Sequence, residues 1–161
     1  QTFIYMPTSG IVQGMRPLMS YNYGAKLKER MHQILKVSGL VIAAILGAGT
    51  LLFFIVPNVL LSLFNASSGM LEIGETGLRI LSLSFIVSSF GVLMSGVFEA
   101  LGLGKYSLIV SLLRQLLITV PLAYILLNIM GIEGIWLSFV IAEAIASIVA
   151  YILYHKKFKT I

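Results

Sequence analysis

The stretch Val37–Val56, VSGLVIAAILGAGTLLFFIV, runs for 20 residues without a charge. A helix of about 20 residues, rising 1.5 Å per residue, matches the roughly 30 Å hydrocarbon core of a bilayer. Three further stretches repeat the pattern. Ile80–Phe98 has 19 uncharged residues, Tyr106–Met130 has 25 with Arg114 as its one charge, and Ile132–Tyr154 has 23 with Glu133 and Glu143. A weaker fifth, Gln1–Tyr23, is apolar overall but holds Gln13, Arg16, Asn22, Pro7 and Pro17. Such groups are tolerated in a membrane helix that faces protein or a water-filled cavity, so this span is expected to line something wet. The reading is an all-α, polytopic transmembrane helix bundle. Residues 1–161 form one transmembrane region with five spans, about 1–23, 36–57, 73–101, 106–130 and 132–154.

Composition excludes most alternatives. Hydrophobic residues make up 58% of the chain and charged residues 11%, with a mean hydropathy of +1.01. Soluble domains carry roughly 25% charged residues. There is no Cys and no Asp, and only two His and six Glu. Disulfides, thiolate metal sites and cysteine nucleophiles are therefore excluded, and neither catalytic nor metal-binding residues are expected. No phosphate-binding, zinc-hydrolase or serine-hydrolase motif is present, so the chain does not read as an enzyme. The net charge of +5 does not point to nucleic acid. Its Lys and Arg lie in short bands between apolar runs, which is a membrane-topology pattern.

Those bands set an expected orientation. Lys26, Lys28, Arg30 and Lys36 lie in the first connection, Lys105 in the third, and Lys156, Lys157 and Lys159 in the tail. The second and fourth connections carry no Lys or Arg. The positive-inside rule then makes the C-terminus cytoplasmic in a multi-pass cell-membrane protein. Asn65-Ala66-Ser67 in the second connection matches the glycosylation sequon. The chain opens inside an apolar run without Met, which suggests the C-terminal part of a larger membrane protein.

Charges at bilayer depth are costly, about 3 kcal/mol each, and usually face a partner or a cavity. Glu99, Arg114 and Glu143 are expected to form one intramembrane charge cluster across three helices. Ser88 and Ser89 place small hydroxyls mid-membrane. The spacings Ser84/Ser88, Gly91/Ser95, Ala142/Ala146 and Ala146/Ala150 suit close helix packing. Pro121 interrupts a long span near its centre and is expected to kink it, as a hinge or as a fixed bend.

Four segments carry a family resemblance. Gln13-Gly14-x-x-Pro17-x-x-Ser20-Tyr21-Asn22-Tyr23-Gly24-Ala25-Lys26 resembles the end of the eighth helix of the multidrug and toxic compound extrusion (MATE) family. Phe98-Glu99-Ala100-Leu101-Gly102 resembles the end of its tenth helix, with Glu where Gln is usual. Ser111-Leu112-Leu113-Arg114-Gln115, followed by Pro121, resembles the eleventh. Gly131-x-x-Gly134-x-Trp136 resembles the start of the twelfth, where Val140-Ile141-Ala142-Glu143 replaces a frequent Pro-Ile-x-Asp.

The resemblance implies helices eight to twelve of a twelve-helix transporter, a partial C-lobe that pairs with an N-terminal lobe. It implies export of drugs or other organic, often cationic, compounds in exchange for protons or sodium, by alternating access. The resemblance implies no cofactor. It implies a coupling-ion site in the N-terminal lobe, where the family's coupling acid often lies, since the position of the acid some members carry on the tenth helix falls near Phe90 here and holds no acid. The partners expected are membrane lipid, a small-molecule substrate and the N-terminal lobe. The residues expected to bind substrate are Gln13, Arg16, Tyr21, Asn22, Ser88 and Ser89. A flippase for lipid-linked oligosaccharides, from the same superfamily, and a non-transporting membrane scaffold are the alternatives.

Overall fold

The computed structural model describes residues 2–63 and 68–158, so Asn65-Ala66-Ser67 and Lys159 lie outside the described residues. The described residues form α1 (Thr2–Gly24), α2 (Lys28–Ile55), the short α3 (Pro57–Ser62), α4 (Ser68–Ala100), α5 (Gly104–Leu112), a π-helical segment (Leu113–Leu117), α6 (Thr119–Met130) and α7 (Ile132–Phe158). Among the described residues four stretches are long and apolar enough to cross a membrane: Lys28–Ile55, Ile73–Ala100, Gly104–Met130 and Ile132–Lys157. Their best windows reach mean hydropathies of 2.3, 2.0, 1.9 and 2.1. α1 is not among them, because the polar residues and the prolines Pro7 and Pro17 interrupt its 23 residues.

The helix limits differ from the apolar runs in one informative place. α2 begins at Lys28, eight residues before the expected span, so the basic first connection is mostly helix. Long charged side chains on an extra turn or two can reach the headgroup region while the backbone stays helical.

Short turns make sequential neighbours antiparallel. α1 and α4 each end on a six-residue closing hydrogen bond, Leu27 N–H to Asn22 O (2.9 Å) and Leu103 N–H to Phe98 O (2.7 Å). Each turn contains a left-handed residue, Lys26 at φ 58° and Gly102 at φ 72°. This is the usual way to satisfy orphan carbonyls at a helix C-terminus. Gly131 alone joins α6 to α7, at φ 70° and ψ −149°. Only glycine adopts that conformation without strain. The turns after α1 and α4 and the end of α7 gather at one end of the bundle, where Lys157 lies 5.6 Å from the centre of the Tyr106 ring. This is the basic end, with Lys26, Lys28, Lys105, Lys156 and Lys157.

α4 is the central helix. Its Phe85, Leu93, Met94, Val97 and Phe98 are buried against Val12, Met15 and Met19 of α1, Ile42 and Leu46 of α2, and Ala146 and Ala150 of α7. Lipid is as apolar as Leu, so close packing and polar ties must hold the helices together here. Both are visible. Ser147 of α7 donates to the Val87 carbonyl of α4 at 2.9 Å, and Gly91 lies beneath it. Thr50 of α2 donates to the Ser82 carbonyl of α4, also at 2.9 Å. At Gly96 the side chains of α1 pack so closely that a Cβ would fall 2.4 Å from a Val12 methyl carbon. The outward faces present Leu40, Phe54, Ile86, Leu116, Ile125 and Ile148. A continuous apolar exterior of this kind would drive aggregation in water and is the ordinary surface of a protein in lipid.

Candidate functional site

Polar residues on four helical elements converge on a cleft beside α4. On α1 they are Tyr5, Ser9, Gln13 and Arg16, spaced by four, four and three residues and therefore on one face. On α4 they are Ser84, Ser95 and Glu99; the π segment and the turn before it give Ser111, Arg114 and Gln115; α7 gives Glu143. The cleft has two chambers. The deeper, about 520 Å³, is lined by Tyr5, Ser9, Ser84, Val92, Arg114, Gln115, Phe139 and Glu143. The second, about 260 Å³, lies between Gln13, Arg16, Ser95, Glu99 and Ser111. Ser9, Val92 and Arg114 line both, so the chambers adjoin.

Backbone irregularity places Arg114 there. Residues Leu113–Leu117 form a π turn in which the Ile118 N–H bonds to Leu113 O at 3.0 Å, five residues back. The Thr119 hydroxyl donates to the carbonyl of Arg114 and satisfies a group the widened turn frees. π turns of this kind occur often at functional sites. The backbone irregularity of this span lies at Leu113–Leu117, upstream of Pro121, where a kink is expected. Pro121 is the third residue of α6, within the first turn, where a missing N–H costs little.

The expected cluster of three charges is two separate ion pairs. Glu99 pairs with Arg16 of α1, not with Arg114, and its second oxygen accepts a 2.7 Å hydrogen bond from Ser107. Arg114 pairs with Glu143, Nε to Oε1 at 3.7 Å, and this pair is the more buried, at 19% and 15% side-chain exposure. Three buried polar atoms here have no hydrogen-bond partner: Arg16 Nε, Ser95 Oγ and Glu143 Oε2. Among the described residues no group of His, Asp or Glu could hold a metal ion.

Of the six residues expected to bind substrate, Gln13 and Arg16 line the cleft. The other four do not. Ser88 is fully buried in the α1–α4 contact, 2.7 Å from the Tyr5 hydroxyl and donating to Phe85 O. Ser89 is half-buried and bonds back to Ile86 O of its own helix. Asn22 is buried and donates to Leu18 O, fixing the end of α1. Tyr21 points away and is 75% exposed. The regular spacing Tyr5–Ser9–Gln13–Arg16 is the sequence signal that marks the α1 wall of this cleft.

A family model, MatE, matches residues 1–125. The chain belongs to the MatE family. The MatE assignment agrees with relatives found by sequence. The chain is 26% identical over 144 residues to "Multidrug export protein MepA" of Staphylococcus saprophyticus, covering 89% of this chain and 32% of that protein. The chain thus spans about a third of the length of the curated relatives it matches. Among solved structures it is similar to the MATE multidrug transporter DinF-BH, with 31% identity and a TM-score of 0.88 over 97% of this chain and 35% of that one. The same fold occurs in an inward-facing and an outward-facing MATE transporter, each 21% identical and covering 99% of this chain, at TM-scores of 0.92 and 0.90. They cover 37% and 36% of those chains. In this MatE chain, then, the polar cleft belongs to a transporter fold.

Proposed function

We propose that these residues form the C-terminal lobe of an antiporter that exports drugs or other organic, often cationic, compounds in exchange for protons or sodium. Alternating access would move this lobe against an N-terminal lobe that completes the cavity and carries the main coupling-ion site. The protein would sit in the cell membrane with its basic end and C-terminus in the cytoplasm, as the band of Lys and Arg favours. It would use no cofactor and act on its substrate without chemistry.

The observation that carries this reading is the charge balance of the cleft. A flippase for anionic lipid-linked sugars needs surplus positive charge, but Arg16 and Arg114 each have a Glu partner. What is left is Tyr, Ser and Gln hydroxyls and amides beside Val92 and Phe139, a lining suited to a mostly apolar molecule with few polar groups. A purely structural scaffold would have no use for a polar cleft of this size. The test uses the full-length protein in proteoliposomes with a fluorescent organic cation. An imposed proton or sodium gradient should drive dye against its own gradient. No dye movement under either gradient would exclude the antiporter reading.

A further inference from the structure

Glu143 and Glu99 are held in different ways. Both oxygens of Glu99 are partnered, one by Arg16 and one by Ser107. Glu143 has one contact to Arg114 at 3.7 Å, and its Oε2 is buried with no hydrogen-bond partner. A charge-assisted hydrogen bond between such groups runs about 2.7–2.9 Å, so this pair is in Coulombic contact without a formed bond. The position is deep. Glu143 lies 11 residues after the start of α7 at Ile132, roughly 16 Å into the helix.

The groups that face Glu143 are few. The π segment presents Arg114, and α1 presents the Tyr5 hydroxyl, which is engaged with Ser88. α4 presents Ser84 at this level; its Glu99 is committed to Arg16, and its Glu75 and Arg79 pair with each other nearer the other end. α5 has Lys105 and Tyr106 at the basic end, and α6 has only the exposed Tyr124. Among the described residues Glu143 thus depends on Arg114 for its charged form.

The second chamber supplies a route. It runs from Arg114 past Ser95 and Ser111 to Arg16 and Glu99, towards the basic end. Its volume of about 260 Å³ exceeds the roughly 30 Å³ that one water occupies in the liquid. Gln13, Ser111, Arg16 and Glu99 line it and give it a polar wall.

We propose that Glu143 is a proton-exchange site within this lobe, reached from the basic end through the hydrated chamber beside Arg114. A proton passes from a water in the chamber to the carboxylate, leaving hydroxide that the water chain returns to bulk; release is the reverse. No bond other than O–H forms or breaks. Uptake cancels the attraction that holds Arg114, changing the pair from net neutral to net positive. The site is therefore less receptive to an organic cation when protonated, and release of the proton restores that affinity. Its use in exchange rests on the antiporter reading, but its titration does not.

The test is pH-difference infrared spectroscopy on the purified full-length protein, compared with its Glu143→Gln, Glu143→Asp and Glu99→Gln variants. Besides any band from acids of the N-terminal lobe, the wild type should gain a carboxylic-acid carbonyl band of Glu143 on going from mildly alkaline to mildly acidic buffer. The band should be lost in Glu143→Gln, shifted in Glu143→Asp and kept in Glu99→Gln. A signal that persists undiminished in Glu143→Gln, or that diminishes only in Glu99→Gln, would overturn the proposal. So would a wild type without the band. If Glu143→Gln does not fold, the shift in Glu143→Asp decides alone, an unshifted band counting against the proposal. A wild type that shows the band yet moves no dye would leave the proton site standing and sink the antiporter reading.

Discussion

The two ion pairs of the cleft do different jobs with the same chemistry. Arg16–Glu99 lies near the basic end, with side chains 40% and 37% exposed and every carboxylate oxygen engaged. Arg114–Glu143 lies deep, is less than half as exposed, and leaves one oxygen idle. The first fastens α1 to α4 and, through Ser107, to α5. The second joins α7 to the π segment, where the span departs from α-helical geometry. The difference teaches that the number of partners on a carboxylate, more than the presence of a salt bridge, separates a fastening from a movable contact.

The largest effect should come from breaking the deep pair. Arg114→Ala leaves the Glu143 charge without its partner, a loss of about 3–5 kcal/mol for buried pairs. Thermal unfolding of the purified full-length protein should show it, and Arg114→Leu with Glu143→Leu should recover much of it. Strictly additive single and double changes would mean that the two residues do not interact. A middle effect is expected at Gly96, where the added atoms of Gly96→Leu would force α1 away from α4. Overpacking of this kind costs about 1–3 kcal/mol. It should also part Arg16 from Glu99, so adding Glu99→Gln in that background should cost nothing further on the same melting curve. The smallest effect is Glu99→Gln alone. The amide keeps an oxygen for Ser107, and pairs this exposed contribute about 0–1 kcal/mol. A melting shift as large as that of Arg114→Ala would erase the distinction between the pairs.

Much of the fold was legible because uninterrupted apolar length has one physical use at this scale. Val37–Val56 and Ile132–Tyr154 could hardly be anything but spans. The site was less legible. Rise per residue gives the depth of Glu99, Arg114 and Glu143, and at similar depths they read as one cluster. Depth does not say which way a side chain faces, and that direction gave Glu99 to Arg16. The serines were ambiguous for a related reason. Ser84 and Ser88 are both buried and one turn apart, yet one borders the cleft and the other is sealed beneath Tyr5. The π segment leaves no mark in composition, since Leu113-Arg114-Gln115-Leu116-Leu117 would be an unremarked stretch of any helix.

That segment also sets the phase of everything after it. A π turn holds one residue more than an α turn, and each residue advances an α-helix by about 100°. The side chains of α6 are therefore displaced by about that angle from where a continuation of α5 would aim them. Without the extra residue, Arg114 could face the cleft only by turning part of the lipid-facing row of Val120, Tyr124 and Leu127 inward. Deleting one residue between 113 and 117 would restore an unbroken helix with its two halves out of step. The bulge works as a one-residue phase correction, letting a single span obey two different neighbours.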